Sequence, residues 1–356
     1  MKQHRDTLVI LTPAFPEDEA DYIWVPSQQL FVKTLQHDFP QLHIVVLSFF
    51  FPNHTNTYNW HHTSVTSFNG MSKRKLRRPL LWKDIWQQLN ATRKQHNVIG
   101  ILSFWCGECA LIGRYFAKRH ALQHICWICG QDARVTNNLV KFIRPPAHEL
   151  AAMSAFLANE FYKNHGVKPQ HIIHNAIDPQ LFPVELPKVR DIDIMGAGSL
   201  VPLKQYDQFV RIVGALQQKL PHIRAIHCGG GEEEGRLKAL ISDMGLTEHL
   251  SLLGKTPQAG VVQLMQRAKV FLHTSSYEGL STACLEALYA GAHVISFCDP
   301  MDAPIAKWHI VKTAEEMTAK ALAVLTSPHT DYTPVLAYSM TDSVQAVMKL
   351  FKDTPT

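Results

Sequence analysis

The sequence predicts an α/β protein built from two doubly wound domains, and three observations carry that expectation. Short β-branched runs alternate with amphipathic segments, the pattern of parallel sheets covered by helices. The alternation stops at a proline-rich, aperiodic stretch over 177–187 and then restarts. The 356 residues exceed one ordinary domain, and a hydrophobic fraction of 46% supplies apolar side chains for two cores.

In the first half, strands are expected over 8–11, 43–48, 98–104 and 124–128, with weaker ones over 150–154 and 171–174. Helices fall between them, over 27–36, 80–94, 110–119 and 155–164. After the break, strands over 191–195, 223–227, 250–253, 270–273 and 293–297 alternate with helices over 204–220, 232–244, 257–268 and 282–290. The expected organisation is a first domain over 1–175, a linker over 176–190 and a second domain over 191–335. A C-terminal helix over 336–356 is expected to pack back on the first domain. Two such domains are expected to face each other across a cleft, with ligands at the carboxyl edges of the strands.

Charge and composition narrow the function classes. A net charge of +5 suits a phosphate-bearing ligand or an anionic surface without demanding nucleic acid. No run reaches the length of a bilayer span, and the longest, over 44–51, is strand-sized. The N-terminus passes from charged residues straight into Leu8-Val9-Ile10-Leu11, without a signal-peptide pattern. Seven cysteines, an odd number, suit a reducing compartment better than a disulfide framework. A cytoplasmic protein is the expectation.

Three clusters at strand–helix junctions of the second half carry the chemistry. Met195-Gly196-Ala197-Gly198-Ser199 ends an apolar run, and glycines there let backbone amides approach a pyrophosphate. The dinucleotide fingerprint is not completed, because Val201 stands at its third glycine position. Lys204 follows and can neutralise a phosphate, unless it is simply a solvated lysine at a helix start. Cys228-Gly229-Gly230-Gly231-Glu232 places three glycines together, an entropic cost that implies close approach to a ligand or to the facing domain. The third cluster is Ser275-Ser276-Tyr277-Glu278-Gly279-Leu280-Ser281-Thr282-Ala283-Cys284-Leu285-Glu286-Ala287. Glu278 lies in the loop leaving a strand, and Glu286 lies about one turn into the next helix, on its stripe with Thr282, Leu285 and Tyr289. An unpaired buried carboxylate is expensive, so a binding role competes with plain helix-dipole stabilisation.

In order and spacing these clusters resemble the family-4 retaining glycosyltransferases of the GT-B superfamily, the glycosyl transferases of group 1. The resemblance runs from Asp191 to Phe297 and includes Glu286-Ala287 followed by Gly291. His174-Asn175-Ala176-Ile177-Asp178, ahead of Phe182, resembles the family's inter-domain Asn-Gly-Ile-Asp motif, with Ala176 where glycine is usual. The resemblance implies a GT-B fold and transfer of a sugar from a UDP- or GDP-sugar to a glycan or lipid-linked acceptor. It further implies retention of configuration by front-face attack, no metal and no cofactor, in bacterial-type polysaccharide biosynthesis. It places Glu286 on the ribose hydroxyls, Glu278 on the transferred sugar and Lys204 on the diphosphate. Backbone amides of Gly279, Leu280, Ser281 and Thr282 would face the phosphates, beside Gly196, Gly198, Ser199, Gly230 and Gly231. Ser199 stands where many members carry a phosphate-binding arginine, so charge compensation falls on Lys204 and the helix dipoles. In the first domain, Gly130-Gln131-Asp132 follows a strand where relatives present a polar residue to the sugar. Gln131 and Asp132 are the sugar- or acceptor-side candidates, and Asp132 joins Glu278 and Lys204 as a catalytic candidate. A turn-forming aspartate is the alternative.

Other signals pull elsewhere. Cys106-x-x-Cys109 and Cys126-x-x-Cys129 have a structural-zinc spacing, but the second pair reads as strand, where residues three apart point to opposite faces. Core thiols are the competing account. Lys73, Arg74, Lys75, Arg77 and Arg78, followed by Leu80, Leu81, Trp82 and Trp86, join a basic run to an amphipathic helix. That pattern suits peripheral docking on the anionic inner face of a membrane, with a solvated basic loop as the alternative. The cysteines and the basic run together define a different class, a zinc-dependent nucleic-acid-binding protein, whereas the leading reading needs no nucleic acid. A sugar-nucleotide epimerase on the same fold is a further alternative. Asp191-Ile192-Asp193 matches the metal-binding D-x-D of another glycosyltransferase fold, but it opens a strand and reads as coincidence.

Overall fold

The computed structural model describes residues 5–21, 24–72, 78–183 and 189–352. The chain forms two compact units: unit 1, Met1–Asn175 with Ser339–Thr356, and unit 2, Ala176–Tyr338.

Unit 1 begins with β1 (Asp6–Ala14), whose residues Leu8, Val9, Ile10 and Leu11 are all buried, as in a central parallel strand covered on both faces. α1 (Pro26–Asp38) follows, with proline at its start, where no intrahelical N–H is needed. Then come β2 (His43–Phe51), β3 (Thr55–Trp60), β4 (Thr63–Phe68), α2 (Arg78–Gln95), β5 (Asn97–Phe104), α3 (Glu108–Arg119) and β6 (Gln123–Ile128). The single turn α4 (Val140–Ile143), β7 (Leu150–Ala152), α5 (Ala155–His165) and β8 (His171–Ile172) complete the run. The sheet order is β3-β4-β2-β1-β5-β6-β7-β8, parallel except for β3 against β4. That hairpin is missing from the sequence expectation. Its turn is made by His61 and His62 at φ 42° and 66°, in place of the Asn-Gly or Asp-Gly pair that normally signals one.

Unit 2 contains β9 (Ile192–Ala197), α6 (Tyr206–Gln217), β10 (Ala225–Cys228), α7 (Glu234–Asp243), β11 (Leu250–Leu252) and α8 (Gln258–Arg267). β12 (Ala268–His273), α9 (Thr282–Tyr289), β13 (His293–Ser296), β14 (Trp308–Ile310) and α10 (Ala314–Thr326) follow. All six strands are parallel in the order β11-β10-β9-β12-β13-β14, the 3-2-1-4-5-6 arrangement of doubly wound nucleotide-binding sheets. Phe209, Val213 and Leu216 of α6 meet Val270, Leu272, Ile295 and Met317 in its core.

Two expectations are corrected here. The stretch read as a linker belongs in part to unit 2: the Phe182 ring packs edge-on against Tyr289 at 4.8 Å, and Gln266 Nε2 donates to the Pro183 carbonyl at 3.2 Å. Residues 184–188 of that stretch lie outside the described residues. The helix expected from 204 begins at Tyr206, because Gln205 adopts a left-handed φ of 49° and Lys204 closes a separate 3-10 turn, Pro202–Lys204.

The last helix, α11 (Met340–Lys352), belongs to unit 1 and packs on α1. It buries Val344, Val347, Met348 and Phe351. The Phe351 ring occupies space that Gly100 of β5 leaves open, since a Cβ there would come within 2.4 Å of it. Ser343 Oγ donates to the His174 carbonyl at 2.8 Å, and Lys352 Nζ lies 5.1 Å above the Phe39 ring.

Candidate functional site

In unit 2 the strand order reverses between β9 and β12, so the loops leaving those two strands diverge around a ready crevice. Those loops are stapled together. Thr274 Oγ1 donates to the Lys204 carbonyl at 2.8 Å, and Ser276 donates to the Leu203 carbonyl from its N–H at 3.1 Å and from Oγ at 3.2 Å. The staple brings two predicted residues together: Lys204 Nζ forms a short hydrogen-bonded ion pair with Glu278 Oε2. Burial raises the Glu278 carboxyl, but His273 and Lys204 outweigh it and lower the group to about 2. Glu278 is therefore an anion across the physiological range.

Glu286 is held differently. It lies one turn into α9, whose start is capped by Ser281 Oγ accepting from the Cys284 N–H at 3.4 Å. The residue is 8% exposed, and Gln258 Nε2 donates to its Oε1 at 2.9 Å. Burial pushes this carboxyl up to about 7, offset only in part by Gln258. Gly279 to Ser281 are buried between the two acids, and Thr282 opens the helix.

The glycines have a nearer explanation than a ligand. A Cβ on Gly229, at φ +134°, would stand 1.9 Å from the Gly198 carbonyl oxygen, and one on Gly231 would stand 2.3 Å from that of Leu200. Gly198 and Gly196 in turn leave room for Tyr206 and Phe209. The close approach that three consecutive glycines imply is thus made to the neighbouring loop of the same unit, with Gly198 N–H bonded to the Cys228 carbonyl at 2.9 Å and Leu200 N–H to that of Gly230 at 3.1 Å. Gly230 is less confined, with Lys255 Cγ 3.3 Å from its notional Cβ, and Ser199 is exposed at the loop tip.

Gln131 and Asp132 belong to unit 1, and the structure corrects the catalytic reading of Asp132. Its carboxylate accepts the backbone N–H groups of Cys106 at 2.8 Å, Gly130 at 2.7 Å and Cys129 at 3.2 Å. Asn137 Nδ2 ties the same loop through the Cys106 and Asp132 carbonyls. With both oxygens occupied by amides, Asp132 is the turn-forming residue that locks two loops, while Gln131 beside it is exposed.

The membrane-docking pattern is also revised. Trp86 packs edge-on against Phe116 at 5.0 Å, Trp82 Nε1 donates to Glu108 Oε2 at 2.6 Å, and both indoles lie against the core of unit 1. Arg78 stacks 4.5 Å over Phe50 and pairs with Glu108 at 3.7 Å. Lys73, Arg74, Lys75 and Arg77 lie outside the described residues. No helix among the described residues is long and apolar enough to cross a membrane. Cys109 and Cys126 are buried, and burial holds both thiols well above their ordinary range. Asp191 pairs with Arg267 and Arg224, and Asp193 with Lys269, so the D-x-D acids serve ion pairs at the strand entry.

Two site residues escaped the sequence reading. Gln258 starts α8, 28 positions from the acid it touches. His273 ends β12, 3.7 Å from Glu278, and its position at the carboxyl edge was the available signal.

The doubly wound order and the stapled switch-point loops define a Rossmann-like α/β unit. Residues 178–309 match the model of the family described as glycosyl transferases group 1. The two Rossmann-like α/β units are those of the GT-B fold. Among curated proteins, the gpi3 subunit of phosphatidylinositol N-acetylglucosaminyltransferase from Schizosaccharomyces pombe is 24% identical over 203 residues, 55% of this chain and 44% of that protein. The chain spans less than half the length of the curated relatives it matches. Among solved structures, a glycosyltransferase from Rickettsia africae superposes with a TM-score of 0.71 at 12% identity, over 99% of this chain and 98% of that one. HepE of Anabaena, in complex with UDP and glucose, gives 0.69 at 15% identity over 99% and 100%. At these identities the structures show the fold.

Proposed function

We propose that the protein is a retaining glycosyltransferase that moves a sugar from a UDP- or GDP-sugar to a glycan or lipid-linked acceptor. The observation that carries the reading is the Lys204–Glu278 pair at the switch point of unit 2, with Glu286 buried one helix turn beyond. The nucleotide complex of Anabaena HepE supports it, since that protein shares the fold and binds UDP with glucose.

The chemistry follows from the charges. Cleavage of the sugar–phosphate bond leaves positive charge on the sugar and an electron pair on the departing diphosphate. Lys204 shifts from Glu278 to that diphosphate, and the N–H groups at the start of α9 face it. Glu278 then accepts hydroxyls of the sugar, while Glu286 accepts the ribose diol. The acceptor oxygen attacks on the face the diphosphate leaves, and a phosphate oxygen takes the acceptor's proton, so the configuration is retained. The positive groups come from the chain itself, so the reading assigns no metal.

Thermal shift against UDP, GDP, UDP-glucose and GDP-mannose tests the donor site, because a ligand bound only by the folded state raises its stability. One nucleotide pair should raise Tm, and Glu286→Ala should abolish the rise. A chain indifferent to all four is not this enzyme. Turnover unchanged by a chelator, with the product's anomeric configuration read by NMR, tests the mechanism.

A further inference from the structure

The stretch from Gly130 to His148 of unit 1 carries the cations Arg134, Lys141 and Arg144, and its only acid is Asp132. That acid is turned inward onto three backbone amides. Midway lies α4, a single turn anchored by its buried residues Val140 and Ile143. The two residues between those anchors point outward: Lys141 is exposed, and Phe142 is 65% exposed.

The exposed phenylalanine is held in place rather than left loose. Tyr115 Oη of α3 donates to the Phe142 carbonyl at 3.0 Å, and Arg114 Nη1 donates to that of Ile143 at 3.1 Å. Arg144 then takes a left-handed φ of 48° ahead of Pro145 and Pro146, and its Nε returns to the Lys141 carbonyl at 3.3 Å. The same surface continues onto α5. His165 Nε2 donates to the Arg134 carbonyl at 3.1 Å, and Asn164 Nδ2 donates to that of Ala133 at 3.0 Å. Burial lowers the His165 ring and the nearby Lys141 charge lowers it further, so Lys141 and the end of α5 share one side of the unit. Tyr115, Tyr162 and Val135, at 46%, 54% and 68% exposure, add apolar surface around them.

The charges on this face have one sign. Among the described residues Lys141 and Arg144 have no carboxylate partner. The nearby acids are already taken, Glu149 by Arg114 at 3.0 Å and Glu160 by Lys163 at 3.5 Å. Lys118, one turn beyond Tyr115 on α3, is exposed as well. A purely apolar partner would leave these cations without counter-charges, and a purely acidic one would leave the rings without apolar contact. A bilayer with anionic headgroups supplies both: phosphates meet the cations, and the rings settle at the boundary with the acyl chains.

We propose that this face of unit 1, centred on Lys141, Phe142 and Arg144, docks on an anionic lipid surface. It is a different place from the 78–86 segment, whose indoles lie against the core. The proposal stands on unit 1 alone and does not depend on the donor-site reading.

Vesicle sedimentation of the full chain tests it, with phosphatidylcholine alone and with phosphatidylcholine mixed equally with phosphatidylglycerol. Wild type should pellet with the mixed vesicles and stay in solution with the neutral ones, and the binding should weaken as salt rises. Lys141→Gln combined with Arg144→Gln should lower partitioning about thirtyfold, and Phe142→Ser should lower it about tenfold. All three side chains are exposed, so the Tm of both variants should match wild type. A wild-type chain that ignores the mixed vesicles, or binds both kinds equally, overturns the proposal. Variants that partition like wild type place any lipid binding elsewhere and overturn it too. Self-association in sedimentation velocity that Phe142→Ser abolishes would assign the face to a second copy of the chain instead.

Discussion

Glu286 has one hydrogen-bond donor, Gln258, and a carboxyl raised to about 7 by burial, whereas Glu278 is ionised by Lys204. A carboxyl raised in the folded state binds its proton more tightly there than in the unfolded chain. Its stabilisation is complete below the ordinary 4.5 and is lost as pH rises through about 7. Glu286→Gln should therefore be about 3 kcal/mol more stable than wild type at pH 8 and close to it near pH 4.5, by urea denaturation. The same group must ionise to accept two ribose hydroxyls. Affinity for a nucleotide sugar, whose diphosphate diester does not titrate in this range, should rise about tenfold from pH 6 to pH 8, and the glutamine variant should bind weakly without that slope. Calorimetry at the two pH values checks it; a flat wild-type profile would contradict the ribose role. Asp132→Ala strands three backbone N–H groups and should cost unit 1 about 3 kcal/mol in urea denaturation while leaving nucleotide binding to unit 2 unchanged. Glu278, Lys204 and Glu286 were legible because their chemistry sits in local motifs. Gln258 and the Ser296 partner of His273 were not, because side-chain pairing across a sheet leaves no spacing to read.

At the level of elements, the strands and helices of both units were legible wherever buried β-branched runs end in turn residues. The β3–β4 hairpin was hidden because His61 and His62 make the turn and β3 is largely polar. The glycine tract announced a close approach without naming the neighbour, which only the paired loops of β9 and β10 reveal. Gly229→Ala, at φ +134° and 1.9 Å from the Gly198 oxygen, should cost about 3 kcal/mol or more. Gly235→Ala, in α7 with nothing within 4 Å, should instead stabilise by about 0.5–1 kcal/mol. Parallel urea denaturation of the two variants separates a packed glycine from a merely flexible one. Equal effects would refute the loop-packing account.

At the scale of the molecule, the parallel strands of both sheets follow from the alternation of the sequence, while the membership of the 176–183 stretch in unit 2 rests on contacts such as Phe182 meeting Tyr289, 107 positions apart. α11 supplies unit 1 with Val344, Val347, Met348 and Phe351. Phe351→Ala should destabilise unit 1 by about 3 kcal/mol and lower its calorimetric transition, with the transition of unit 2 unmoved. The same helix sets an order of events during synthesis. Unit 2 leaves the ribosome whole before unit 1 does, because unit 1 waits for a segment made some 160 residues after the rest of it. Until then the groove over α1 and Gly100 is open apolar surface on a nascent chain, exposed for as long as the intervening unit takes to be translated. Chaperone dependence of this protein in the cell would thus concentrate on its first-made half.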